Sequence, residues 1–365
     1  MRRLFVDARC LGTGLGVYVT NVLAGLKALK PDFSTTAITT QDHEPQLRGL
    51  CDNIIAVNAP VYSAREQIQV PWAARGADLL HAMHYNAPLA HKGRLVVSIH
   101  DLTHILDRTH ARTLKSWVYA RPMLYLVARR ADHVFTLSTY SRDRIVQHLG
   151  IPSAKITVTY VGVGTHFRPM DREQAQADLN LSLSLRRPYL LFVGNLKPHK
   201  NVLTLLQAFA MLVRKGTDCD LVVVGDDRWG RPAILHEVER LAISERVHIF
   251  RRVELDCLVK LYAAAQVLVL PSFEEGFGLP VVEAMACGTP VACSRAASLP
   301  EVGGDAAEYF DPHSSDEIGA CLVRILQSAE KQLRMQTMGM ERARLFKWSD
   351  CAQKHYEIYR RYLCN

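Results

Sequence analysis

Short, nearly unbroken apolar runs alternate along the chain with stretches whose apolar residues recur every three or four positions. The runs at 2–8 (RRLFVDA), 94–100 (RLVVSIH), 133–138 (HVFTLS) and 155–162 (KITVTYVG) form a first series. A second comprises 188–195 (PYLLFVGN), 220–226 (DLVVVGD), 247–253 (VHIFRRV), 266–272 (QVLVLPS) and 290–294 (PVACS). Continuous rather than alternating hydrophobicity predicts strands covered on both faces. Between them the helical period appears: Val202, Leu205, Leu206, Phe209, Leu212 and Val213 share one face, and Gly216 stands where that helix would stop. Strand and helix repeated in this order predict an α/β fold, a parallel sheet with helices on both sides.

The pattern breaks once. Residues 165–187, between Gly164 and Pro188, are polar, carry no strand signal, and read as a linker. The chain is then expected to form two doubly wound, Rossmann-like domains, residues 1–168 and 169–346, facing one another across a cleft. From Lys347 onward Trp348, Ala352, Tyr356, Tyr359 and Leu363 recur at helical spacing, so residues 347–365 are expected to form a helix that packs back toward the first domain. A length of 365 residues suits two cores better than one.

Composition narrows the class. No stretch approaches the roughly 20 apolar residues of a membrane span. Asp7 and Arg9 interrupt the only N-terminal apolar run, so a cytoplasmic location is expected. The nine cysteines include no CxxC pair and read as reduced, buried thiols. A formal net charge of +8 favours an anionic partner: nucleic acid, a phosphorylated metabolite or an acidic membrane face. No nucleic-acid-binding signature appears, which makes nucleic acid the weakest of the three.

In a parallel sheet, function collects just after the strands, at the carboxyl edge. After the run at 266–272 comes PSFEEGFGLPVVEAMACGTPV (271–291). Gly276, Phe277, Gly278 and Leu279 lead into a helix expected to begin at Pro280, whose bare amides would suit a diphosphate. Glu283, placed in the first turn, would accept hydrogen bonds from ribose hydroxyls, and Glu275 would face whatever hangs from the phosphate. The plainer alternative is a strand–helix connection in which Glu283 complements its own helix dipole.

These motifs resemble those of retaining glycosyltransferase family 4, in glycosyl transferases group 1. The stretch EEGFGLPVVEAMACGTPVACS with LPEVGGDAAEYFDP (299–312) is similar to that family's paired-glutamate signature. FVGNLKPHKNVLTLLQAF (192–209) and LSTYSRDRIVQHLGIPSAKITVTYVGV (137–163) resemble its donor and acceptor domains. The resemblance implies a GT-B fold, with Glu275 at the donor sugar, Glu283 at the ribose, and the amides of Phe277, Gly278 and Leu279 at the distal phosphate. Lys200 would neutralise the diphosphate leaving group, or else be a solvated residue at the start of a helix. Asn195 stands where many members carry arginine; Lys197 or His199 would have to supply that charge.

In the first half, LGTGLGVYVTNVLAGL (11–26) is a glycine-rich loop whose Gly14 and Gly16 approach the donor phosphates by resemblance, or with Gly12 make a tight turn only. His100 and Asp101 follow the run at 94–100. By resemblance His100 is the active-site histidine; otherwise it holds its loop. Asp101 is a helix cap or an acceptor contact. His81, His84 and Tyr85 are weaker acceptor candidates. The histidines show no zinc-like spacing, and the resemblance implies no metal and no cofactor. Segment 112–130, with Trp117, Tyr119, Leu124 and Leu126 among arginines and Pro122 as an interruption, is either an internal helix or one resting on anionic lipid at the inner face of a membrane.

The function these features imply is retaining transfer of a sugar from a nucleotide diphosphate sugar to a glycan or lipid-linked acceptor, in polysaccharide or lipopolysaccharide assembly. The HDL at 100–102 resembles mannosyltransferases, which makes GDP-mannose the first expected donor and UDP-glucose the second. The competing readings are a nucleotide-sugar epimerase or phosphorylase on the same scaffold, and a non-catalytic nucleotide-sugar sensor.

Overall fold

The structure, a computed structural model, describes residues 1–12, 14–103, 114–225 and 230–364, with side chains for all of these except 114–120. Asp226, at the end of one expected strand, and the side chains of Trp117 and Tyr119 lie outside the described residues.

Two compact units emerge: residues 1–162 together with 347–365, and residues 163–346. The chain thus passes from the first unit to the second at Gly162, six residues before the expected 168. The first sheet contains β1 Arg2–Asp7, β2 Phe33–Thr39, β3 Asn53–Ala56, β4 Leu79–Ala82, β5 Arg94–Ser98, β6 His133–Thr136 and β7 Ile156–Val158, in the order β3-β2-β1-β4-β5-β6-β7. The second contains β8 Tyr189–Val193, β9 Asp220–Val224, β10 Val247–Phe250, β11 Val267–Leu270, β12 Val291–Ser294 and β13 Ala307–Phe310, in the order β10-β9-β8-β11-β12-β13. Every pairing in both sheets is parallel. Strand order therefore reverses direction between β1 and β4 in one unit and between β8 and β11 in the other, and each reversal opens a crevice outside the carboxyl ends of those strands.

The expected strands form where the apolar runs stand, shorter by one to five residues. Two expectations are corrected. The polar segment at 165–187 is not simply a linker: it contains the Arg172–Leu183 helix, capped by Asp171 and packed against the Leu255–Ala264 helix. Only Ala175 and Leu179 of that helix are buried, too few to write a stripe into the sequence. Pro122 does not interrupt the basic segment either; it lies inside a continuous Leu114–Arg130 helix. Met123, Leu124, Val127 and Ala128 of that helix enter the first core, whereas Tyr125 and Leu126 stay exposed. Among the described residues no helix is long and apolar enough to cross a membrane. All nine cysteines are free thiols, six of them buried.

The Trp348–Cys364 helix lies against the Gly16–Ala28 helix of the first unit. Gly25 permits the approach, since a Cβ there would stand 2.4 Å from that of Ala352. Beneath this contact runs a chain of buried hydrogen bonds whose direction can be assigned. The Cys351 carbonyl accepts from His355 Nδ1 (2.8 Å), leaving Nε2 to accept from the Tyr18 hydroxyl (2.8 Å). Ser98 therefore donates to Tyr18 (3.0 Å) and accepts from His81 Nε2 (2.9 Å), and His81 Nδ1 accepts from Tyr359 (2.6 Å). Both imidazoles are neutral in this arrangement. His81, an acceptor-pocket candidate in the sequence, is thus a core residue, because its position in β4 turns it into the sheet rather than toward the carboxyl edge.

Burial pushes His355 and His133 down to about 4. The unfolded chain then binds more protons than the native one below the ordinary histidine range. Stability is complete above pH 6.5 and is lost as pH falls toward 4, by up to about 3 kcal/mol for each group. Urea unfolding followed by circular dichroism at pH 7 and pH 4 should show this loss, and His355→Gln should reduce it.

Candidate active site

The carboxyl edge of the second sheet holds most of the expected donor residues. After β8, Gly194 continues the ladder by donating to the Val224 carbonyl (2.9 Å). Gly225 is confined by the same backbone, since a Cβ there would meet the Gly194 carbonyl oxygen at 1.6 Å. Asn195 accepts from the Lys197 amide (3.4 Å), a contact within its own loop. Asn201, at φ +58°, donates to the carbonyls of Pro271 (3.1 Å) and Pro312 (2.7 Å), and Phe273 N–H donates to the His199 carbonyl (2.8 Å). The loops on either side of the β8–β11 crevice are thereby tied together.

That tie brings Lys200 and Glu275 into contact. Lys200 Nζ lies 2.6 Å from Glu275 Oε1, and the Ser272 hydroxyl donates to the same oxygen at 2.7 Å. Lys200 is 9% exposed and Glu275 8%, so the solvated alternative for Lys200 is excluded. Ser298 fixes the following turn by donating to the carbonyls of Glu275 (2.9 Å) and Phe277 (3.0 Å). Phe277 is buried edge-on against Phe346, with ring centroids 5.4 Å apart.

Gly278 adopts φ +100°, a conformation only glycine takes without strain, and the Leu279–Ala286 helix starts directly after it with Pro280 in its first turn. The first-turn amides of this helix have no carbonyl within it to bond. Glu283 is the fifth residue of the helix and so lies beyond its first turn; the helix begins one residue earlier than the proline suggests, because Gly278 itself is the cap. The carboxylate accepts from the Tyr262 hydroxyl at 2.7 Å, and burial pushes it up to about 7.

In the first unit the loop after β1 runs into the Gly16–Ala28 helix. Gly12 is pressed against the His43 ring and Gly16 against the Leu11 carbonyl, with hypothetical Cβ contacts of 2.6 and 2.5 Å. Gly14 has open space around it, so sterics do not account for it. After β5, His100 Nε2 donates to the Met83 carbonyl (2.9 Å) and the ring sits edge-on to Tyr18 at 4.7 Å. Its Nδ1 is then the unprotonated nitrogen, buried and without a hydrogen-bond partner among the described residues. Burial holds this imidazole below its usual range. Asp101 Oδ1 accepts from the Thr103 amide (2.9 Å), and residues 104–113, where a helix capped by Asp101 would run, lie outside the described residues. His84 and Tyr85, after β4, join Tyr62 in an aromatic cluster.

Sequence reasoning passed over Tyr18, Tyr62, Tyr262 and Glu66. Asp7 and Arg9, read there only as charges breaking an apolar run, form a buried pair at 2.7 Å, with Glu66 3.0 Å from the same guanidinium. Two opposite charges at the end of a first strand were the available signal. Among the described residues no three histidine, cysteine or acidic side chains gather as metal ligands.

Comparison with known proteins adds two family matches. The family described as Glycosyl transferases group 1 matches residues 175–342, and Glycosyltransferase Family 4 matches residues 12–167. Among curated proteins, an O-antigen chain mannosyltransferase B of Escherichia coli is 30% identical over 275 residues, 73% of this chain and 70% of that one. An MMP alpha-(1->4)-mannosyltransferase of Mycolicibacterium hassiacum is 31% identical over 252 residues, 67% of this chain but only 58% of its own length. Among solved structures, a sucrose-phosphate synthase from Thermosynechococcus elongatus superposes with a TM-score of 0.80 at 21% identity, covering 99% of both chains. At that identity the likeness is one of fold.

Removing the countercharge from a buried carboxylate is costly. Lys200→Ala should lower the unfolding free energy of the unliganded protein by about 3 kcal/mol. The double variant Lys200→Ala/Glu275→Ala should recover part of that loss in urea titrations, as a double-mutant cycle would read.

Proposed function

The chain belongs to the family 4 glycosyltransferases of group 1, with two Rossmann-like sheets of the GT-B class, and on that premise we propose that it moves mannose, with retention of configuration, from GDP-mannose to a glycan or lipid-linked acceptor in surface polysaccharide assembly. The observation that carries this reading is the Lys200–Glu275 pair seated beside the Gly278 helix start, at the β8–β11 reversal. The names of the two mannosyltransferase relatives favour mannose over glucose.

In this proposal the distal phosphate takes the amides of Phe277, Gly278 and Leu279, with Gly276 leaving room for close approach. Lys200 turns part of its charge from Glu275 toward the departing diphosphate, which supplies electrostatic stabilisation where negative charge develops. Glu275 thereby gains capacity to accept hydrogen bonds from the sugar hydroxyls. Glu283 and Tyr262 form the ribose end. Asn195 offers its amide to the phosphates.

The acceptor oxygen bonds to the anomeric carbon as the bond to the phosphate oxygen breaks, both on one face. Its proton passes to the leaving phosphate oxygen, so no covalent enzyme intermediate and no metal is needed. His100, whose Nδ1 can accept, takes a donor-sugar hydroxyl. Asp101, His84 and Tyr85 serve the acceptor. Peripheral contact with anionic lipid through Arg121, Tyr125, Leu126 and Arg129, all exposed, belongs to the same proposal.

The test is incubation with GDP-mannose or UDP-glucose, with and without mannose-terminated oligosaccharides and with EDTA present. Free GDP appearing only with acceptor supports transfer; turnover without acceptor would instead favour an epimerase or phosphorylase. Glu275→Gln should abolish transfer while calorimetry shows donor binding retained. Because the Glu283 carboxyl titrates at about 7, donor affinity should weaken as pH falls from 8 to 6 and the acid takes up its proton. Glu283→Gln should flatten that dependence, with affinity set roughly 1–3 kcal/mol below the wild type at pH 8 by loss of charge-assisted hydrogen bonds.

A further inference from the structure

Tyr62 lies between β3 and the Glu66–Ala73 helix, and its backbone sits at φ +68°. Glycine adopts that region freely, whereas a bulky aromatic residue there is strained. Such strain persists only where the surroundings impose it. Here the clamp is Glu66, whose side chain is fully buried. Its Oε2 accepts from the Tyr62 amide (3.2 Å) and from Arg9 Nη1 (3.0 Å), and its Oε1 accepts from the Asn86 side chain. Arg9 is itself held by both oxygens of Asp7, at 2.8 and 2.7 Å, and donates to the Ala59 carbonyl at 2.9 Å. A buried ion cluster at the carboxyl end of β1 thus fixes the backbone beneath Tyr62.

The clamped ring is not used to fill the core, since Tyr62 is 51% exposed. Its hydroxyl instead joins a directed chain. The Asn86 amide donates to His84 Nδ1 (3.3 Å), so the neutral ring carries its proton on Nε2 and donates to the Tyr62 oxygen (3.3 Å). Tyr62 in turn donates to the Tyr85 oxygen (3.3 Å). The cluster stands at the same sheet edge as His100, whose donor contact is the Met83 carbonyl one residue before His84. Asp101 is close enough to Tyr85 to bear on its ionisation. An aromatic face bordered by neutral hydroxyl and imidazole groups suits a pyranose: its C–H face lies on the ring and its hydroxyls meet the polar rim. With no cation among these three residues, the cluster does not suit a phosphate.

We propose that Tyr62 is an acceptor-binding residue, the platform on which a mannose ring of the acceptor glycan stacks, with Tyr85 and His84 packed beside it as the rim of that platform. This rests on the transfer reading above and names its acceptor subsite.

The experiment uses α-linked mannotriose as probe, with Tyr62→Phe and Tyr62→Gly in the full chain. Saturation-transfer NMR reports binding without turnover, and steady-state transfer from GDP-mannose separates KM from kcat. Tyr62→Gly should melt at or above the wild-type temperature, because the left-handed backbone no longer carries a side chain. It should also lose the saturation signal and raise the acceptor KM by about tenfold, the scale of one stacked ring, with donor affinity unchanged. Tyr62→Phe keeps the ring and should recover most of the KM. Wild-type protein that shows no signal from mannotriose, or a Tyr62→Gly variant with wild-type signal and KM, overturns the proposal. Wild-type protein that binds mannotriose through Tyr62 yet transfers nothing to it would leave the subsite standing and sink the transfer reading.

Discussion

An all-parallel sheet covered on both faces leaves the protein one place to keep polar chemistry, the edge where every strand ends. Both sheets here obey that constraint. Their central strands are largely apolar and buried, with the threonines of β2 and the hydrogen-bonded His81 and Ser98 as exceptions, and the candidate residues follow strand ends. Asn195 and Lys200 follow β8, Glu275 follows β11, His84 and Tyr85 follow β4, and His100 follows β5. The order reversal separates neighbouring loops at one point in each sheet, and most of the buried charges collect there, Asp220 at the start of β9 with Arg246 being the exception. The Asp7–Arg9–Glu66 cluster lies beside β1 and the Lys200–Glu275 pair between β8 and β11. Burying such groups gains little net stability over apolar packing; what it fixes is geometry, because each charge has few acceptable partners.

The sequence discloses the units that its own local pattern builds. The β8, β9 and β11 runs are nearly continuous and apolar, and the helix Val202–Arg214 shows its stripe and its stop at Gly216. By contrast β2, FSTTAIT, hides behind threonines that are buried but read as polar, and β13 is an edge strand only partly covered. The glycine loop and the glutamates after β11 are legible because they are neighbours in the chain. Their pairing is not: Lys200 and Glu275 are 75 residues apart, and Arg9 and Glu66 are 57 apart. Nor does periodicity show that Glu283 falls one residue deeper than a proline-based helix start implies, since that depends on Gly278 reaching φ +100°.

The buried chain from Tyr359 through His81, Ser98 and Tyr18 to His355 has both ends on one helix. Each of its members has one proton to give and one lone pair to offer, so only one direction satisfies them all. Tyr18 also carries the His100 ring against its edge. The last helix of the chain and the loop histidine of the first sheet therefore share a packing partner, although Tyr18 and His355 are 337 residues apart.

That helix has a further consequence for how the polypeptide matures. The first unit receives residues 347–365 only after the whole of the second has been made, while the second is continuous from Val163 to Phe346 and its two ends are joined by the Val163 amide and the Phe346 carbonyl. On the ribosome the second sheet is thus able to close first, as an insertion complete in itself. The opening sheet waits, with the face of Gly16–Ala28 and the imidazole of His81 uncovered, until the Trp348–Cys364 helix leaves the exit tunnel. Order of synthesis and order of completion run in opposite directions in this molecule.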